Sequence, residues 1–127
     1  DAHGHLTGDQ VLRLVARTMK DKFKDKAIIT RFGGEEFAII LPEADLIAGK
    51  FGAETVRQAL LTRELIKRST NVNLGRITIS LGVASYRRGD TAGSLVDRAD
   101  QSLMQAKRDG RNRTVTEDAL ETSSRVA

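Results

Sequence analysis

The segment RFGGEEF, residues 31–37, constrains this chain more than any other, because two glycines and two carboxylates interrupt two strand-like runs. AIITRF leads in and FAIIL leads out, both rich in the β-branched and aromatic residues that favour strands. The pattern predicts a β-hairpin with Gly33, Gly34, Glu35 and Glu36 at its tip. Glycine reaches turn conformations without steric cost and leaves backbone N–H groups open to an anion. Carboxylates beside such a turn repel an anion unless a cation lies between them. Glycine amides with acidic side chains therefore suit a metal-bound phosphate.

A chain of 127 residues with 39% hydrophobic and 30% charged residues reads as one domain. It has no cysteine, which excludes disulfides and thiolate metal sites and fits a reducing compartment. The net charge of +4 suits a phosphate-bearing ligand. A nucleic-acid binder ranks last, because 4% aromatic residues offer no stacking platform. No apolar run approaches the length of a membrane span, and no signal peptide is apparent.

In chain order, DAHGHLTG is a polar lead that holds both histidines, His3 and His5. A helix is expected from Asp9, with Thr7 as N-cap and Gln10 at capping-box spacing. Leu12, Val15, Ala16, Met19 and Phe23 recur on one face. The hairpin is expected over 27–41, apolar on both faces and therefore central in its sheet, and ended by Pro42. A long helix is expected over 43–67, with Leu46, Ile47, Phe51, Val56, Leu60, Leu61 and Leu65 inward and Gly49 and Gly52 allowing close packing or a bend. Residues 69–75 read as a polar connection and 76–86, RITISLGVASY, as a strand. Residues 94–108 read as an amphipathic helix with Leu95, Val96, Ala99, Leu103 and Ala106 inward and Gly110 as C-cap. A short strand over 111–116 follows, and 117–127 reads as a disordered tail. This order predicts an α+β, two-layer domain: an antiparallel sheet covered by helices, close to a split βαβ arrangement whose first strand is missing.

RFGGEEF closely resembles the signature of the GGDEF-domain diguanylate cyclases, in its GGEEF form. GHLTGD at 4–9 is similar to that family's GHxxGD element. Leu41-Pro42, ITISLGVA at 77–84 and ADQSLMQAKRDGRNR at 99–113 follow in the family's order. The resemblance implies a ferredoxin-like, palm-like nucleotidyl cyclase fold over residues 1–116, N-terminally truncated and lacking its first strand and helix. It implies an enzyme that condenses two GTP into cyclic di-GMP with release of pyrophosphate, active as a dimer. Mg²⁺ is the expected cofactor, and Mn²⁺ is also compatible. The expected partners are GTP, a second copy of the domain and an upstream sensory or regulatory domain. The expected location is cytoplasmic, including the cytoplasmic part of a longer, membrane-bound protein.

Carried over position by position, the resemblance makes Glu35 the metal ligand and general base, and Glu36 a supporting catalytic carboxylate. Gly33 and Gly34 would admit the phosphates. Asp9 would accept from the guanine edge, with His5 near the same pocket, and Lys107 and Arg111 would meet the triphosphate. Arg31 is a second-tier candidate. The family's metal-binding Asp, with a Lys and an Asn for the nucleotide, would lie before Asp1, so the segment alone is expected to be inactive. KDKA at 24–27 stands where many members carry an RxxD feedback motif, so no tight feedback site of that type is expected. The alternative from another class is a non-catalytic GTP-binding module that regulates an attached domain.

Overall fold

The computed structural model describes residues 8–33, 36–62, 65–67, 72–75 and 77–119. The elements are helix α1 (Gly8–Phe23), a 3₁₀ turn (Lys24–Lys26), strands β1 (Ile28–Gly33) and β2 (Glu36–Ile40), helix α2 (Leu46–Leu61), strands β3 (Leu65–Lys67), β4 (Val72–Gly75) and β5 (Leu81–Val83), helix α3 (Ala92–Arg108) and strand β6 (Thr114–Thr116). β1 with β2 and β3 with β4 pair antiparallel, whereas β5 and β6 pair parallel. The expected α+β class with antiparallel strands is met. The chain divides into two compact units, Asp1–Pro42 with Gln58–Ile77 and Glu43–Arg57 with Thr78–Ala127.

In the first unit, Val15, Met19 and Phe23 recur every fourth residue on α1 and are buried. Thr18 lies on the same face, fully enclosed, because its hydroxyl donates to the Leu14 carbonyl at 2.9 Å. In the hairpin, Ile29 pairs with Ile39 and Ile28 with Ile40. Ile28 and Ile40 are 56% and 57% exposed, so the strands are not enclosed on both faces as expected. Among the described residues this sheet has two strands.

α2 departs most from expectation. It begins at Leu46, where Asp45 Oδ1 accepts from the Ala48 N–H at 2.8 Å, and it ends at Leu61 rather than Lys67. Residues expected to continue it, Leu65–Lys67, form β3, which pairs with β4 inside the expected connection. Its orientation also differs. Ala53, Val56 and Leu60 are buried, while Ile47 and Phe51 are 82% and 74% exposed. The inward stripe instead passes through Gly49, where a Cβ would meet the Val83 side chain at 3.0 Å.

In the second unit, α3 packs against β5 and β6. Thr91 and Ser94 form a reciprocal capping box at its start. Ser102 and Ala106 are buried on its inner face, whereas Val96, expected inward, is exposed. Among the described residues of the strand expected over 76–86, Leu81–Val83 joins a ladder, paired with the three residues of β6. The described chain also runs past the expected boundary at 116. Glu117 is buried, accepting from Arg98 Nε at 2.8 Å and lying 3.3 Å from Arg87 Nη2. Arg98 reaches Asp90 Oδ1 at 2.6 Å and the Ser85 carbonyl at 2.8 Å. Its guanidinium is the main cause holding the Asp90 carboxyl well below the usual carboxylate range.

Candidate active site

The expected site residues fall into two groups, one in each unit. In the first, the β1–β2 ladder runs Thr30 to Ala38 and Arg31 to Phe37, then shifts register so that Gly33 stands opposite Glu36. The shift is a bulge, which re-aims the strand end at the tip. Gly33 and Glu36 are thereby brought together on the last rung. Gly34, Glu35 and His5 lie outside the described residues. Asp9 lies in the first turn of α1, and its side chain is outside the described set. A carboxylate beside glycine backbone offers the hard oxygen donors that suit a divalent cation such as Mg²⁺. Among the described residues, no three acidic or histidine side chains converge on one point.

A cleft of about 320 Å³ opens beside this tip, lined by Leu12, Arg13 and Ala16 of α1 and by Arg31 and Phe37 of the hairpin. Leu12 and Ala16 were expected only as core. They are half-buried and line this cleft together with Arg13 and Arg31. Periodicity could not find this role, because a residue at the margin of a buried face has the same spacing as one inside it.

The second group sits at the end of α3. Lys107 is half-buried in the last helical turn. Asp109 caps the helix, its N–H donating to the Gln105 carbonyl at 2.9 Å. Gly110 follows at φ +121°, as its expected capping role requires. The left-handed run continues through Arg111 (φ +65°) and Asn112 (φ +48°). The Arg111 N–H donates to the Ala106 carbonyl at 2.9 Å, which folds the turn back on the helix and leaves the Arg111 side chain exposed.

One set of contacts here was not foreseen. Arg57 on α2 donates from Nη1 to Asn112 Oδ1 at 3.0 Å and to the Asn112 carbonyl at 3.4 Å. The same guanidinium forks onto Glu54, Nε to Oε2 at 2.7 Å and Nη2 to Oε1 at 2.8 Å. Glu54 Oε2 also accepts from the Thr114 hydroxyl at 2.7 Å. The Arg57 hydrogen bond is the largest cause lowering the Glu54 carboxyl from 4.5 to about 2; burial opposes it and Thr114 assists it. Arg57 holds its proton correspondingly more tightly.

The sequence profile described as diguanylate cyclase, GGDEF domain, matches residues 1–113. The chain is similar to diguanylate cyclase VdcA of Vibrio cholerae, 39% identical over 115 residues that cover 91% of this chain and 34% of that protein. It is 36% identical over 115 residues to diguanylate cyclase DgcM of Escherichia coli, covering 91% of this chain and 27% of that one. Among solved structures, it is similar to the GGDEF domain of DgcB from Caulobacter crescentus in complex with c-di-GMP. That match has a TM-score of 0.84 and 40% identity over 91% of this chain and 67% of the other. The chain thus spans about a third or less of the length of these curated relatives.

Proposed function

The chain belongs to the GGDEF-domain family, and on that premise we propose that it is the output domain of a diguanylate cyclase. One observation carries the reading: a single family match runs unbroken from the GHLTGD segment, through the GGEEF hairpin, to the KRDGR end of α3.

The proposed reaction joins two GTP molecules held by two copies of the domain. The 3′-oxygen of each bonds to the α-phosphorus of the other, the α–β phosphoanhydride breaks, and two pyrophosphates leave. A bound divalent cation, Mg²⁺ or Mn²⁺, supplies charge neutralisation on the triphosphate and a lowered pKa at the attacking hydroxyl. Glu35 would hold that cation and take the hydroxyl proton, with Glu36 as the supporting carboxylate. Gly33 and Gly34 let the phosphates approach the backbone. Asp9 accepts from guanine N1–H and the N2 amino group, and His5 borders the base. Lys107 and Arg111 bind the triphosphate, Arg111 as a planar fork and Lys107 as a point charge. Because the chain covers about a third or less of its curated relatives, an attached input domain that controls pairing belongs to the same proposal.

The test is incubation of the full-length protein that carries this segment with GTP and Mg²⁺ under dimerising conditions, with chromatography of the products. Cyclic di-GMP should form, and Glu35→Gln should abolish it while leaving the circular dichroism spectrum unchanged. GTP binding without any product would replace this reading with a regulatory GTP-binding module.

A further inference from the structure

Three successive residues, Gly110, Arg111 and Asn112, hold left-handed backbone at the end of α3. Glycine adopts that conformation freely and asparagine tolerates it, but arginine does so only where its surroundings hold it there. The Arg111 N–H bond to the Ala106 carbonyl secures the turn from the helix side. The other side is secured from α2. Arg57 grips Asn112 at both its side-chain and its main-chain oxygen, and Glu54 grips Thr114 two residues further on.

The grip does not follow the loop, because its own parts are fixed to each other. Glu54 and Arg57 stand one helical turn apart and share a two-bond fork. The Arg57 side chain is only 13% exposed. A planar guanidinium can hold a carboxylate on one edge and an amide oxygen on another, whereas an ammonium group cannot present that geometry.

We infer that Arg57, held by Glu54, is a positioning residue for Arg111: it fixes the left-handed turn at Asn112 and so the direction in which the Arg111 guanidinium leaves the backbone. Arg57 acts through Asn112 rather than on the nucleotide. Its effect is preorganisation, since a phosphate-binding arginine already aimed at its ligand loses less freedom on binding. The inference rests on the proposed role of Arg111 at the triphosphate.

The experiment is titration calorimetry of GTP and of GMP, which lacks the β- and γ-phosphates, on the full-length protein that carries this segment. The variants are Arg57→Gln, Arg111→Ala and the double substitution. Arg57→Gln should weaken GTP about tenfold while changing GMP by less than about twofold, the size expected for one charge-assisted hydrogen bond. The double variant should bind GTP no more weakly than Arg111→Ala alone, because both changes remove one shared contact. A merely structural brace predicts equal losses for GTP and GMP, or losses that multiply in the double variant, and either result overturns the inference. If Arg57→Gln does not fold by circular dichroism, Arg57→Lys takes its place with the same expectation, since it keeps the charge and loses the fork. Unchanged GTP affinity in Arg111→Ala would sink the role of Arg111 and this inference with it. A loss in Arg111→Ala with none in Arg57→Gln would sink the inference alone. A wild-type chain that binds GTP without turnover would remove only the cyclase reading, and the binding series would still decide the positioning role.

Discussion

Gly82 of β5 lies so close to Leu103 of α3 that a Cβ built on it would stand 2.2 Å from the Leu103 amide nitrogen. The Ala99 carbonyl oxygen would be equally near, at 2.2 Å. Both neighbours are backbone, so no side chain can turn aside to make room. Gly82→Ala should force α3 away from the strand and destabilise the fold by about 3 kcal/mol, the upper end of the overpacking range. Thermal denaturation followed by circular dichroism should show a midpoint lowered by on the order of 10 °C. A midpoint within error of the wild type would mean that the helix and strand are not in this contact in solution.

On the inner face of the same helix, Ser102 is fully buried and its hydroxyl has no hydrogen-bond partner among the described residues. A buried, unsatisfied hydroxyl costs more than it returns, and alanine is the better helix former. Ser102→Ala should therefore stabilise the protein by about 1 kcal/mol, seen as a shift of the urea midpoint to higher concentration without a change in slope. Destabilisation by that substitution would mean that the hydroxyl has a partner.

The Glu54 carboxyl makes stability depend on pH in a definite window. Its value is lowered in the fold, to about 2 from 4.5 in the free side chain. The folded state thus favours the charged form. The contribution is complete above about pH 4.5 and is lost as pH falls towards 2. Asp90, held low chiefly by Arg98, contributes a loss of the same sign on acidification, so the wild-type curve contains both. The difference between wild type and Glu54→Gln isolates the first. The variant should be less stable at neutral pH by about 1 kcal/mol, a figure reduced for the partial exposure of the carboxylate, and the gap should narrow below pH 4.5. A gap independent of pH would detach Glu54 from the acid response.

The hairpin was legible because its signal is local: two glycines between β-branched runs leave few other ways to turn, and Gly33 does stand opposite Glu36. α3 was legible because its apolar spacing and terminal glycine agree, although the helix starts at Ala92, capped by Thr91, rather than at Ser94. α2 was misread in a particular way. Its largest apolar residues, Ile47 and Phe51, are exposed, while the inward side runs through Gly49, Gly52 and Ala53, which weigh little in any hydrophobic pattern. Its end was misplaced because Leu65 and Ile66 extend the apolar series into what is strand β3. The strand over 76–86 alternates well, but alternation cannot report whether a partner exists, and β6 reaches only Leu81–Val83. The contact between Arg57 and Asn112 spans 55 residues and depends on a left-handed turn, so no local pattern could encode it. Glu117 looked like the start of a polar tail because composition cannot show that two arginines await a carboxylate there.

That last clasp sets where mechanical load enters the domain. β6 is a ladder of only three residues, and a pull on the chain beyond residue 119 would peel it one rung at a time. Glu117 opposes such a pull, with Asp118 bonded back to the Thr116 hydroxyl beside it. Through Arg98 it transmits force to the middle of α3, to Asp90 and to the Ser85 carbonyl, and through Arg87 to the loop before the helix. Tension arriving from the C-terminal side is therefore shared across the body of α3, the same helix whose far end carries Lys107 and leads into Arg111.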